Sequence, residues 1–321
     1  MVTLKKGTKI GPYSVVEMLP SGRGGMANVY RVREKDNSRD LALKISRNDV
    51  DDVRYANALK KEVDILKLLN HPGVVRVLPL PLGSKQDPYM ARAIEIPNHP
   101  WFYGMEYLEG GSLAQLVTSQ KALPYQLACA LSVKIIDALM FIHSQGVAHL
   151  DMKPENVLMR HTVKEGAALE PVLIDFGVSA RTKTQTPDGG TVWTMAPEQI
   201  RKSKGLVPPE VELSLEKMDT YSAGVVTYRM LTGNYPFDGI TSKSVVTAVL
   251  NAQVQPPRIY NPALPKHFDE LMLRWLEKDP DQRPSLANIR EHVLYLSEGV
   301  TVFPKLPKSN GHKPFWMFWR R

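Results

Sequence analysis

The chain has 321 residues, a formal net charge of +8, 43% hydrophobic and 23% charged residues, and a single cysteine. That balance excludes a disordered, fibrous or disulfide-built protein; at roughly 300 residues a fold buries about three-quarters of its unfolded surface and needs neither a disulfide nor a structural metal. The basic charge suits acidic partners such as phosphates, lipid headgroups or nucleic acid without choosing among them.

Cys129, within Ala128-Cys129-Ala130-Leu131, reads as a small core hydrophobe, which fits a reducing, cytoplasmic setting. Residues 1–10 carry lysines with no apolar stretch behind them, so no secretory signal is expected. No interior apolar run is expected to reach the roughly 18 to 20 residues of a spanning helix.

In chain order, Tyr13-Ser14-Val15-Val16, Val29-Tyr30-Arg31-Val32 and Leu41-Ala42-Leu43-Lys44-Ile45 are short apolar runs between turn residues, and they read as strands. A helix is expected over 57–69, with apolar residues at 59, 63, 66 and 69. Val74 to Leu78 and Phe102-Tyr103-Gly104-Met105 read as further strands. From Gly110 the period changes: Leu131, Ile135, Leu139 and Ile142 recur at helical steps up to Gly146. Val225 to Leu231, stopped by Gly233, and Leu271 to Leu276 are further helices. The expected architecture is α+β, with a small antiparallel β-rich lobe over 1–108, one main helix within it, and a larger, mainly helical lobe over 109–297.

Three groups of residues carry chemistry. Gly22-Arg23-Gly24-Gly25-Met26-Ala27-Asn28-Val29 lies between two strands, where missing side chains let amides approach phosphate oxygens. Alone, it is equally a hairpin turn, and the strand that follows argues against a Rossmann or Walker site. Glu62 shares a helix face with Leu59 and Leu66, and a carboxylate turned toward a core needs a cation, for which Lys44 is available. His149-Leu150-Asp151-Met152-Lys153-Pro154-Glu155-Asn156 and Asp175-Phe176-Gly177 supply a carboxylate for a hydroxyl, a cation for a moving phosphoryl group, and oxygen ligands for Mg²⁺.

In these motifs and their order, over residues 10–297, the chain resembles the eukaryotic-type Ser/Thr protein kinases, in particular the branch common in bacteria. The resemblance implies a two-lobed protein kinase-like fold and an ATP-dependent phosphotransferase using Mg²⁺, or Mn²⁺ in its place. Gly22, Gly24 and Val29 then match the loop over ATP, Lys44 the lysine on its α- and β-phosphates, and Glu62 that lysine's partner. Val29, Ala42 and Leu158 match residues sandwiching the base, Met105 the gatekeeper, and Glu106 and Leu108 the backbone at the adenine edge. Asp151 matches the catalytic base, Lys153 the γ-phosphate contact, and Asn156 and Asp175 the metal ligands. Thr191 matches the threonine tethering the substrate loop, and with Lys153 it implies Ser/Thr rather than Tyr acceptors in protein substrates. Glu198 and Arg283 match a buried ion pair, and Asp219 the brace of the catalytic loop.

Where this chain departs from the family, Ala27 replaces a loop glycine and Leu150 replaces an arginine that binds activation-loop phosphate. Leucine cannot pair with an anion, so activity should depend little on phosphorylation there, although Thr182, Thr184 and Thr186 remain as autophosphorylation sites. Residues 84–100 and 201–215 read as long loops. Residues 298–321 lie beyond the resemblance, and Lys313-Pro314-Phe315-Trp316-Met317-Phe318-Trp319-Arg320-Arg321 suits contact with a membrane surface, the start of a longer membrane segment, or packing on the kinase body or a partner. A pseudokinase-like nucleotide-binding scaffold is the rival reading; it expects one of Lys44, Asp151, Asn156 or Asp175 to be missing, and all are present. No specific nucleic-acid partner is expected, since only the net charge points to one.

Overall fold

The chain divides into two units, Met1–Asn70 with Val74–Leu108, and His71–Gly73 with Glu109–Arg321. The computed structural model describes residues 3–23, 27–35, 39–47, 53–181, 191–208 and 210–306. In the first unit, period-two sequence builds β1 (Lys9–Ile10), β2 (Tyr13–Arg23), β3 (Ala27–Glu34), β4 (Asp40–Ser46), β5 (Val77–Leu78), β6 (Met90–Arg92) and β7 (Trp101–Glu106), with α1 (Val53–Leu66) after β4. They form one antiparallel sheet in the order β1-β2-β3-β4-β7-β5, and β6 also pairs with β7.

The register decides which side chains meet. Val29 stands opposite Lys44, Ala42 opposite Met105, and Lys44 opposite Tyr103. Because strand side chains alternate, these residues share one face, while Tyr30, Val32, Leu41, Leu43, Ile45 and Phe102 form the core on the other.

Two expectations for this unit need correction. Only Val77 and Leu78 of the run 74–78 enter the sheet, although Val74 and Val75 are buried. Residues 84–100 are not simply a loop: Met90–Arg92 pairs with Trp101–Tyr103, and Ala91, Ala93 and Ile96 are buried in the unit's core. The segment is long because it folds back to cover the sheet.

The second unit contains α2 (Leu113–Gln120), α3 (Tyr125–Ser144), β8 (Val147–Ala148), β9 (Val157–Met159), β10 (Pro171–Leu173), β11 (Ala180–Arg181), α4 (Pro197–Ser203), α5 (Leu215–Thr232), α6 (Ser242–Asn251), α7 (His267–Trp275) and α8 (Leu286–Leu296). Contrary to expectation, α3 is long and apolar enough to cross a membrane by length and composition. It is instead the core helix of this unit, packed on α5 and α8, with Leu131, Ile135, Leu139 and Ile142 buried. Beyond α8 the chain returns to the loop between β9 and β10: the Phe303 amide donates to Ala167 O (2.8 Å), the Gly166 amide to Phe303 O (2.9 Å), and the Phe303 ring is buried. The basic aromatic segment 313–321 lies outside the described residues.

Helix α5 is enclosed on nearly every side, yet carries many hydroxyls. Thr220, Ser222, Thr227 and Thr232 each donate to the carbonyl four residues back, at 2.8, 3.1, 3.0 and 2.8 Å, which satisfies them without water. Gly224 lets α7 come close: a Cβ there would lie 2.9 Å from Trp275 Cδ1 and 3.0 Å from Leu276 Cδ2, while Trp275 Nε1 donates to Thr220 O at 2.7 Å. Replacing Gly224 by Ala gains about 1 kcal/mol of helix propensity but overpacks this contact at about 1–3 kcal/mol. Because Trp275 is held by its hydrogen bond, overpacking should win, and Gly224→Ala should lower the urea midpoint of unfolding; an unchanged or raised midpoint would show that Trp275 gives way freely.

Candidate active site

The predicted site residues fall into two groups, one in each unit. In the small unit, α1 turns Leu59, Glu62, Val63 and Leu66 inward. Glu62 is 2% exposed and Lys44 14%, and the Lys44 ammonium donates to both carboxylate oxygens at 2.8 and 2.7 Å. A carboxylate this buried is strongly unfavourable without a cation, so the pair fixes α1 against β4. Val29 and Ala42 lie on the same sheet face as Lys44. Met105, Glu106 and Leu108 are buried at the end of β7 and just beyond it, and Glu106 exchanges backbone and carboxylate hydrogen bonds with Arg76. Gly22 lies in β2; Gly24 lies outside the described residues.

In the large unit, β8 and β9 flank a loop whose polar groups converge on Asp151. The Asp151 carboxylate accepts from Lys153 Nζ on Oδ2 (2.6 Å), from Asn156 Nδ2 on Oδ2 (3.0 Å) and from Thr191 Oγ1 on Oδ1 (2.9 Å). Lys153 Nζ also donates to Thr191 Oγ1 at 3.0 Å, which ties the 191–196 segment to the loop. Asn156 Nδ2 further donates to the Asp151 carbonyl at 2.9 Å. Both amide protons are thereby aimed at Asp151, and the Asn156 side-chain oxygen is turned away from it.

Strands β9 and β10 pair with Val157 opposite Leu173, and the Ile174 amide donates to Asn156 O at 3.0 Å. This short hairpin sets Asn156 at its start and Asp175 two residues past its end, with Asp175 in the left-handed region at φ 64°. Leu158, on β9, faces Val172 of β10. The side-chain oxygens of Asn156 and Asp175 are hard donors that fit Mg²⁺, and no cluster of three or more His, Cys, Asp or Glu forms a full metal cage among the described residues.

Asp219 does not start its helix; it sits inside α5, fully buried. Its Oδ2 accepts from the His149 amide and its Oδ1 from the Leu150 amide, both at 2.8 Å, and His143 Nε2 lies 2.8 Å from Oδ2. Leu150 has φ 65°, a conformation that leucine adopts only under constraint, and its side chain is 3% exposed. His149 Nε2 lies 3.0 Å from Ile174 O, and its ring packs 4.8 Å from that of Phe176. Glu198 and Arg283 lie together in the core: Arg283 donates to both Glu198 oxygens at 2.6 and 2.7 Å, and to the carbonyls of Glu277, Lys217 and Lys278 at 2.7, 2.8 and 3.3 Å.

Sequence reasoning missed three contacts. His143 as a partner of Asp219, Ser222 as donor to Thr194 O (2.7 Å), and Ser179 as donor to His149 O (3.0 Å) each span between 28 and 76 residues. No local pattern marks such contacts.

Burial by itself would raise the Asp219 carboxyl. The hydrogen bond from His143, the charges of His143 and His149, and the Leu150 amide outweigh it and hold the carboxyl below its usual value. A depressed carboxylate stabilises the fold above its unfolded pKa near 4, and that contribution is lost as pH falls through the folded value. Asp219→Asn should therefore cost about 3 kcal/mol at neutral pH, and its stability should fall less steeply than the wild type's below about pH 4. Urea titrations across pH 2–7 would check this; parallel curves for the two proteins would contradict it.

Comparison with known proteins accords with this geometry. Residues 13–295 match the protein kinase domain model. The chain is 29% identical to the serine/threonine-protein kinase PrkC of Bacillus subtilis over 88% of this chain and 40% of that protein. It is 30% identical to a probable serine/threonine-protein kinase of Clostridium perfringens, over 83% of this chain and 36% of that protein. To the DNA damage-responsive serine/threonine-protein kinase RqkA of Deinococcus radiodurans it is 33% identical, over 92% and 41%. The chain thus spans about two-fifths of the length of these relatives. Since the domain match runs from β2 of the small unit into α8 of the large one, the chain belongs to the protein kinase family, with the two-lobed α+β fold of its Ser/Thr-specific bacterial members.

Proposed function

We propose that this domain transfers the γ-phosphoryl group of ATP to Ser or Thr hydroxyls of protein substrates, with Asp151 receiving the acceptor hydroxyl. The observation that carries this reading is the occupancy of the Asp151 carboxylate. A carboxylate offers about four lone-pair sites. Thr191 takes one on Oδ1, while Lys153 and Asn156 take the two on Oδ2. One site on Oδ1 remains, beside a threonine that holds the adjoining segment, and there an incoming hydroxyl can donate and be oriented for attack.

Lys153, bonded to Asp151 and Thr191, sits one side chain away from that hydroxyl and offsets negative charge on the transferring group. Asn156 and Asp175 would hold Mg²⁺, which when bound neutralises the phosphate oxygens. In the small unit, the ion pair with Glu62 directs the Lys44 ammonium, ready for the α- and β-phosphates. The kinase names of the relatives support the same reaction class.

Leu150 sets the regulation. Its side chain is buried and apolar, so a phosphate on the activation segment finds no cation at that position. Thr182, Thr184 and Thr186 lie outside the described residues; phosphate placed on them should change activity little. The Phe303 strap and the basic aromatic residues beyond it leave the tail as a further point of contact with a partner or an acidic surface.

Two measurements test the reading. Purified protein with Mg²⁺, ATP and a generic basic acceptor should incorporate phosphate at the roughly 1–100 s⁻¹ typical of kinases, and Asp151→Asn should lower kcat by about 10²- to 10³-fold. Equal incorporation in both proteins, or none in the wild type, would favour a nucleotide-binding scaffold instead. Replacing Thr182, Thr184 and Thr186 together by Ala should leave turnover within a few-fold, and a loss of several hundred-fold would refute the role given to Leu150.

A further inference from the structure

We propose that Arg229 reads a carboxylate in the acceptor polypeptide, so that this domain prefers Ser or Thr with an acidic residue close by in sequence. The inference rests on the reading of Asp151 as the group that receives the acceptor hydroxyl.

Helix α5 organises the acceptor side of the site along one face. Asp219 holds the loop that carries Asp151, and Ser222 Oγ donates to the Thr194 carbonyl at 2.7 Å, in the segment tied to Asp151 by Thr191. Arg229 follows Ser222 by seven residues, which is two helical turns and about 10 Å further along the same face. There its guanidinium carbon lies 4.1 Å from the centre of the Tyr235 ring.

Arg229 makes no ion pair among the described residues, and its Nε is buried with no hydrogen-bond partner. Its position in the last turn of α5 makes that charge tolerable, because the carbonyl end of the helix favours a cation. With Cζ over the Tyr235 ring and Nε buried, the two terminal amino groups of the guanidinium are the donors left for a planar, two-oxygen acceptor.

The same ring connects Arg229 to the catalytic loop. The Tyr235 hydroxyl is pushed up by burial first and then by the charge of Glu155, with Arg229 opposing. Glu155 is four residues beyond Asp151 in the same loop, which agrees with the position of Arg229 on the α5 face that holds that loop and the 191–196 segment. A peptide with its hydroxyl on Asp151 Oδ1 therefore passes an ordered cation that has no ion-pair partner among the described residues. A carboxylate supplies two oxygens to it, whereas a lysine or arginine side chain is repelled.

The test uses a Ser/Thr acceptor peptide flanked by alanines, with Asp, and in a parallel series Lys, placed singly at each of the four positions on either side. For the wild type, Asp at one position should raise kcat/KM about tenfold over the alanine peptide. Arg229→Gln should bring that ratio close to one, and Arg229→Glu should shift the preference at the same position to Lys. Circular dichroism melts would show that the variants are folded. Affinity of the same peptides for Asp151→Asn protein, with and without Arg229→Gln, measured by fluorescence anisotropy, should show the same Asp-to-Ala ratio. That binding readout does not depend on transfer, so a catalytically silent domain would sink the kinase reading while still judging this one. An acidic preference that survives Arg229→Gln, or a wild type that binds and phosphorylates all the peptides alike, overturns the proposal.

Discussion

The grip of one buried carboxylate on two consecutive amides is the constraint from which the large unit's site follows. Asp219 accepts from His149 and Leu150 at once, and two successive amides can point at one carboxylate only when the backbone turns sharply between them. That is why Leu150 has a positive φ, and why the next residue, Asp151, emerges with its carboxylate toward Lys153, Asn156 and Thr191. The strain at Leu150, on the order of 1–3 kcal/mol, persists because the hydrogen bonds around it over-determine the conformation.

The same helix that supplies Asp219 holds other parts of the site. Its Ser222 fastens the 191–196 segment, its Lys217 carbonyl accepts from Arg283, and Arg283 is clamped to Glu198 at the start of α4. An enclosed helix carrying this many hydroxyls and charges would be unfavourable if any were unsatisfied. Most of that cost is contained, because Thr220, Ser222, Thr227 and Thr232 bond within the helix and Asp219 is fully paired, while the Tyr221 hydroxyl and Arg229 Nε are buried without a hydrogen-bond partner. Such pairs contribute little net stability compared with apolar packing, but losing one partner would leave a buried charge exposed to no solvent. What they provide is a fixed arrangement of loops around Asp151.

The small unit uses a single charged pair in a similar way. Lys44 on β4 and Glu62 on α1 are both turned to the sheet face that carries Val29, Ala42 and Met105, while the opposite face forms the apolar core. Sheet alternation separates the two faces: positions of one parity on each strand carry the face with Lys44, and those of the other parity hold the unit together. Residues 84–100 complete that core from outside, and their length reflects a structural requirement of this sheet.

Several features were legible in the sequence because they depend on short-range pattern. Period-two and helical runs marked most strands and helices, the inward position of Glu62 followed from its spacing to Leu59 and Leu66, and the residue types from His149 to Asn156 named the chemistry. The leucine at position 150, where the family resemblance implies an arginine, is likewise read directly from the sequence. Tertiary structure alone decided which distant groups meet: His143 with Asp219, Ser222 with Thr194, and Phe303 with the loop between β9 and β10. It also assigned α3, apolar enough for a membrane, to a protein core. Local patterns fix a residue's backbone preference and the face it presents. Which partner satisfies a buried polar group is set by long-range packing, and no spacing along the chain encodes it.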